Sequence, residues 1–405
     1  MFKDEVIGKG FLRADGKKGI RNKVIVCFTV DCSSFVASKI AEHFKRIGDD
    51  VDFLGTRSCV DNPVNVRRLL SYSVHPNVGA VLVVGHGCEH NRPEKISDFA
   101  RNGGRLADWF YQQDAGGSKK SIAKGIDIVT GFIQELRKTP RAPLYVKDLT
   151  FGAQCGGSDF SSGLAGNPLV GNFFDRAIDL GATCVFAEVS ESAGLKEFLV
   201  KRGIDEDARR DLANYCDKIA YIYLSAGQFS IGPGNIEGGL TTIEEKGMGS
   251  VAKGGSKAIT GVIKIAQRPK KPGLYMLDQT SDVVFNSAIS QGGDSYTGME
   301  LISVGSHINF LVAGRGHVVG NPISPCVKIT GNPKTFENMI DDIDINAGQI
   351  LLGNKTLDQM TDELFDYAKA ICGGMKVKAE VLGHQESEFS HLMQDPCRVI
   401  RPAGI

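Results

Sequence analysis

Six consecutive residues, Gln154-Cys155-Gly156-Gly157-Ser158-Asp159, gather a thiol, a hydroxyl, an amide, a carboxylate and two glycines. Glycines let backbone N–H groups approach a ligand closely, and the four polar side chains can hold an anion or a metal ion. Read alone, the string also describes a tight turn around a buried cysteine. A second cluster, Gly85-His86-Gly87-Cys88-Glu89-His90, offers two imidazoles, a thiol and a carboxylate. That is a partial metal site, although its spacing fits no standard zinc pattern.

Three further strings carry chemistry. Glu188, followed by Ser190-Glu191, closes an apolar run and can serve as base, metal ligand or helix cap. Gly314-Arg315-Gly316-His317 sets an arginine between glycines, where its guanidinium can grip a carboxylate with two parallel hydrogen bonds. The stretches Ser230–Asn235 and Gly238–Lys246 are rich in Gly and hydroxyls and can cradle an anion through backbone N–H groups. Neither a Walker A string nor a G-x-G-x-x-G after a strand is present, so nucleotide binding is not expected. Gly10–Gly16 with Gly19-Ile20-Arg21-Asn22 reads as a charged hairpin whose two arginines suit an acid substrate.

These clusters must be positioned by strands. Val24-Ile25-Val26 and Val81-Leu82-Val83-Val84 are continuous β-branched and aliphatic runs, the mark of strands buried on both faces of a parallel sheet. The first segment reads strand 23–30, helix 33–46, strand 51–56, helix 63–73, strand 79–85. Ile122, Ile126, Val129, Ile133 and Leu136 then recur at helical spacing. The second reads strand 144–152, helix 169–180, strand 183–188 and helix 195–202, with a loop-rich stretch over 227–255. The third reads strand 273–277, helix 298–306, strand 308–312 and helices 335–346 and 356–371, with Thr335 and Thr356 as N-caps. Two Pro/basic stretches, 137–143 and 267–272, suggest linkers. The expected fold is α/β, with successive Rossmann-like parallel-sheet subdomains of strand–Gly-loop–helix units at 1–140, 141–268 and 269–405.

With 47 Lys+Arg against 47 Asp+Glu, the 405-residue chain gives no electrostatic reason to expect nucleic acid or an anionic membrane as partner. No run is long and apolar enough to span a bilayer, and the charged start lacks a signal core, so a cytoplasmic location is expected. The ten cysteines form no C-x-x-C pair and read as reduced thiols, some buried and some ligating.

Taken in order, these strings resemble the large domain of the altronate and galactarate dehydratases, which is shared by the large subunit of (2R)-sulfolactate sulfo-lyase. The matching stretches are Gly10–Asn22, His75–Val78 leading to Gly87-Cys88-Glu89, and Gln154–Asp159 with Asn167-Pro168. Gly234–Gly239, Thr241–Lys246, Gly314-Arg315-Gly316 and Asp344–Gly348 complete the set. The resemblance implies a lyase that eliminates water, or sulfite, from a 2-hydroxy acid with a divalent metal, Fe²⁺ or Mn²⁺. It implies a metal among Cys88, Glu89, Cys155 and Glu188, with His86 as ligand or proton carrier. Arg21, Asn22, Gln154 and Arg315 would bind the substrate. Gly156, Gly157 and Ser158 would donate hydrogen bonds to it, and Asp159 would orient it or accept a proton.

Two departures shape the expectation. The dehydratases carry a small N-terminal domain, and this chain starts at the large one, so a small SAF-like domain is expected as a separate subunit of an oligomer. The turn Leu277-Asp278-Gln279-Thr280-Ser281-Asp282 lacks the Pro-Gly of the sugar-acid members, which leaves the substrate open. A non-catalytic acid-binding subunit dependent on its partner stands as the other class of reading.

Overall fold

The computed structural model describes residues 5–59, 63–187, 190–192, 194–226, 231–280 and 293–389. The chain opens with β1 (Gly8–Leu12) and β2 (Lys18–Gly19), an antiparallel pair. There follow β3 (Lys23–Phe28), α1 (Asp31–Arg46), β4 (Val51–Gly55), α2 (Pro63–Ser73), β5 (Val78–Gly85), α3 (Pro93–Asn102), β6 (Leu106–Tyr111) and α4 (Ser118–Leu136). The strand β7 (Arg141–Leu144) returns to pair antiparallel with β1, so the first Pro/basic stretch ends in a strand.

The second series begins with β8 (Thr150–Cys155), α5 (Asn167–Asp179), β9 (Thr183–Ala187), α6 (Lys196–Lys201) and α7 (Glu206–Ala226). It continues through α8 (Pro233–Glu237), α9 (Ile243–Val251), β10 (Ile259–Lys264), β11 (Gly273–Asp278), α10 (Asp294–Ser303), β12 (Ile308–Val312) and β13 (Cys326–Thr330). The last elements are α11 (Pro333–Asn338), β14 (Ile345–Asn346), α12 (Gly348–Leu351), α13 (Leu357–Cys372) and α14 (Lys378–Leu382).

Two parallel sheets organise the molecule, as the continuous apolar runs require. One has strand order β4-β3-β5-β6, the other β10-β11-β9-β8-β12-β13-β14. The second sheet takes strands from both 141–268 and 269–405, and residue 268 lies in the connection between its neighbouring strands β10 and β11. Its core joins Phe151, Phe173, Phe174, Phe186 and Phe310. The first sheet is covered on one face by α1 and α4 and on the other by α2, α3 and part of α10, through Met299 and Ile302.

Helices α2 and α10 lie side by side through a buried charge pair. The Arg68 guanidinium reaches Glu300 Oε1 at 2.5 Å and the Tyr296 hydroxyl at 2.5 Å. The Tyr72 hydroxyl donates to Met299 O and the Ser71 hydroxyl to Ser303 O, so contacts advance along both helices from Arg68–Tyr296 to Ser71–Ser303 and the helices point the same way. The carboxyl ends of both sheets therefore open toward the same side.

Several expectations shift. The strand expected over 144–152 is interrupted after Leu144 by a short 3₁₀ turn, and β8 starts only at Thr150. Much of the loop-rich stretch 227–255 is helical, in α8 and α9; its residues 227–230 lie outside the described set. In place of the expected helix 335–346 stands the shorter α11, which starts at Pro333 and is capped by the Asn332 side chain, not by Thr335, while residues 345–346 form β14.

Candidate functional site

In the seven-stranded sheet the chain leaves β8 toward β9 on one side, while β12 on the other side leads away to β13. That reversal between β8 and β12 is a topological switch point, where a crevice opens beyond the strands' carboxyl ends. Cys155 ends β8 in register with Val312, the last residue of β12. Gly156 N donates to Val312 O, and Arg315 N donates to Gly157 O, so the two glycine-rich loops are laced together.

Cys155 sits at the base of this crevice. Its Sγ lies 2.7 Å from Lys253 Nζ and 3.2 Å from Ser250 Oγ, with Asn167 nearby. Lys253 is fully buried and also donates to Ser250 O. Ser250 and Asn167 line a cavity of about 290 Å³, together with Ser158, Asp159, Leu240 and Lys246. Lys246 pairs with Glu191 at 3.0 Å, both largely buried. Between Ser158 and this floor the chain makes a π-helical turn, Ser162–Gly166, a feature frequent at functional sites.

Beside Gly156 stands a dyad: His317 Nε2 is 2.8 Å from Asp294 Oδ2, and an added Cβ on Gly156 would meet the His317 ring at 2.7 Å. The loop needs glycine there. Arg315 is half exposed and reaches Gly234 O and Glu237, fastening α8 over the site, where Asn235 also holds Ser158 O.

Of the residues singled out from sequence, Gln154, Cys155, Gly156, Gly157, Ser158, Asp159 and Arg315 meet in this crevice. Gln154 donates to Asp294 O, and its buried Oε1 has no partner among the described residues. Asp159 is committed to the loop itself. Its Oδ1 accepts from Ser161 Oγ at 2.5 Å and Ser162 N, its Oδ2 from Asn332. Glu188 lies outside the described residues.

Arg21 and Asn22 are elsewhere. All five Arg21 donor hydrogens have acceptors: Glu380 takes two, Ile371 O, Ile20 O and Met375 O the rest. This buried arginine ties the N-terminal ribbon to α14 and has nothing left for a substrate carboxylate. Asn22 accepts from Arg13 and donates to Leu136 O and Thr139. Sequence reasoning did not find Lys253, Ser250 or Asp294. Lys253 is separated from Cys155 by 98 residues, and only its seat before Gly254-Gly255 hinted at a tight approach.

His86, Cys88 and Glu89 belong to the other sheet, beyond β5. Glu89 accepts from Thr29 Oγ1 at 2.6 Å and from the N–H groups of His86 and Gly87. Burial alone would raise its carboxyl, and these hydrogen bonds outweigh that and hold it below the usual glutamate range. His86 contacts Gln113. Cys88 is exposed, as are Cys32 and Cys59. Partial loss of hydration raises the Cys59 thiol above its ordinary range, and the neighbouring Cys32, Cys88 and Glu89 add to this.

Two parallel sheets, each with polar loops beyond a switch point, define an α/β enzyme of doubly wound units. Residues 10–137 match the model of the D-galactarate dehydratase/altronate hydrolase second domain, and residues 146–394 that of the D-galactarate/altronate dehydratase C-terminal domain. The chain belongs to this dehydratase family. It is 31% identical over 394 residues to the (2R)-sulfolactate sulfo-lyase subunit beta of Chromohalobacter salexigens, covering 95% of this chain and 97% of that one. It is 32% identical over 374 residues to altronate dehydratase of Escherichia coli, covering 88% and 72%. Against galactarate dehydratase (L-threo-forming) of the same organism the figure is 28% over 393 residues, covering 91% and 73%. As these names indicate, the chain is a lyase of the altronate/galactarate dehydratase type.

Proposed function

We propose that this chain eliminates water from a sugar acid or related 2-hydroxy acid bound in the cavity lined by Ser158, Asn167, Lys246 and Ser250, next to Cys155. The carrying observation is the Lys253–Cys155 contact, whose sulfur touches Ser250 and Asn167, two residues that with Lys246 line a cavity of about 290 Å³. Elimination must remove a weakly acidic C–H beside a carboxylate. In this reading Lys246 meets the carboxylate, and Cys155, as thiolate beside the Lys253 ammonium, takes the proton. The electron pair forms the carbon–carbon double bond while the neighbouring C–O bond breaks. The departing hydroxide takes the Nε2 proton of His317, which rests 2.8 Å from Asp294 Oδ2 until it is given up, because Nδ1 accepts from Val319 N. The resulting enol takes up a proton and becomes the 2-oxo acid.

The divalent iron or manganese implied by the resemblance does not find its expected ligands together. Cys88 and Glu89 sit at one sheet and Cys155 at the other, and the Glu89 oxygens are already occupied. Among the described residues no group of three or more His, Cys, Asp and Glu side chains is arranged to hold a single ion. None of the steps above runs through a metal.

Sulfite as leaving group is the second reading, favoured by the likeness to the sulfo-lyase subunit over 97% of its length. That relative is named a subunit, which supports a small separate chain as partner. A panel of altronate, galactarate and (2R)-sulfolactate, assayed under reducing conditions with Fe²⁺, separates the leaving groups. The chain is tested alone and with a small-domain partner. Cys155→Ser and Lys253→Met are each expected to lower turnover by about 10²–10⁴-fold, the usual worth of a proton-transfer group. Full turnover in either variant would remove the pair from the scheme.

A further inference from the structure

Three cysteines follow, at equal spacing, one row of paired residues at the rim of the first sheet. Phe28 of β3 is in register with Gly55 of β4 and Val84 of β5. Four residues beyond each member of that row comes a cysteine: Cys32, Cys59 and Cys88. The strand order β4-β3-β5 makes them neighbours, and β3 and β5 flank the point where this sheet reverses direction.

The three loops are bound to one another. Asp31 N donates to Arg57 O, His90 N donates to Cys59 O, and Thr29 Oγ1 donates to Glu89. All three cysteines are exposed, in contrast to Cys27, Cys184, Cys216, Cys326 and Cys372, which are buried. Cys32 lies in the first turn of the 16-residue helix α1.

We propose that Cys32, Cys59 and Cys88 hold a cubane iron–sulfur cluster. The trio does not close on one ion-sized point, as a mononuclear zinc or iron site would require. A cube presents its irons at separate corners and asks for thiols set farther apart. Each thiol loses its proton on binding an iron. Three protein thiolates leave the fourth iron open to oxygen ligands from solvent or substrate. The parallel pairing of α2, which follows Cys59, with α10, which starts at Asp294, puts this rim on the same side as the Cys155 crevice.

The test is the full chain purified without oxygen and reconstituted with Fe²⁺ and sulfide. Iron, acid-labile sulfide, the visible thiolate-to-iron absorption and the electron paramagnetic resonance spectrum after reduction are measured. The proposal expects matched iron and sulfide, lost from C32S, C59S and C88S and retained in C155S, with circular dichroism unchanged throughout. Because the three side chains are exposed, serine is tolerated by the fold. Iron or zinc bound without sulfide would overturn the proposal. So would a cluster that persists in C32S/C59S/C88S, or a reconstituted chain with neither iron nor sulfide. None of these readouts depends on turnover, so a failed substrate panel leaves them intact.

Discussion

Gly314→Ala probes how tightly the crevice is built. An added Cβ at Gly314 would lie 1.7 Å from Asp159 Oδ1 and 2.2 Å from its carboxyl carbon. To reach even a 3.0 Å contact, about 1.3 Å must open. Asp159 has little freedom to yield, since Ser161, Ser162 and Asn332 all donate to it. Nor has Gly314, whose N–H donates to Ser162 Oγ and whose carbonyl accepts from Thr330. Overpacking of this kind costs about 1–3 kcal/mol. Losing one hydrogen bond to the carboxylate adds about 1.5–3 kcal/mol. The expected destabilisation is thus about 2.5–6 kcal/mol. It is read as a drop in the urea midpoint, with turnover reduced because the Ser158–Asp159 wall moves. Gly157→Ala is the matched control: its Cβ meets only Arg315 Cβ at 3.6 Å and Gly316 O at 3.8 Å. It should change stability by less than about 0.5 kcal/mol. A Gly314→Ala protein with the parent midpoint and parent turnover would refute this account of the site.

Arg21→Met strands Glu380 in the interior and should cost about 3–5 kcal/mol, while KM for the acid substrate in the folded fraction stays unchanged. A raised KM without loss of stability would restore Arg21 to the substrate site. His307 is held neutral, its value lowered from 6.5 to about 4 mainly by burial. Its Nδ1 accepts from Thr150 N and its Nε2 hydrogen goes to Lys18 O. Its contribution to stability is therefore present above pH 6.5 and is lost as pH falls toward 4, by about 3 kcal/mol. Urea unfolding from pH 7 to 4 should show that slope flattened in His307→Gln; an equal slope in both proteins would exclude His307 as its source.

The first sheet was legible because its central strands are buried on both faces, which demands unbroken apolar runs such as Val81–Val84. Helix α4 announced itself by amphipathic spacing, through Ile122, Ile126, Val129, Ile133 and Leu136. Helix α9 was hidden by Gly247 and Gly249, residues that suggest a loop. They are there for contact: a Cβ on Gly247 would meet Glu191 O at 2.3 Å, and one on Gly249 would meet Gly163 Cα at 3.1 Å. Cys155 and its glycines could be picked out because a strand-end loop concentrates its polar groups locally. Lys253 could not, since the fold alone brings it to the sulfur. Arg21 misled for the opposite reason: an arginine that clamps a substrate and one that clamps Glu380 are the same letter.

The Arg68–Glu300 pair has a practical consequence for anyone dissecting this chain. A cut in the connection between the two matched regions, near residue 140, would look harmless on a sequence diagram. It would leave a lone guanidinium on one fragment and a lone carboxylate on the other, each formerly in the dry interior. It would also bare Met299 and Ile302 on α10 and the face of α2 they cover. Neither half should persist as a well-behaved protein by itself, and mixing the halves should restore both. The chain is two units by design and one object by necessity.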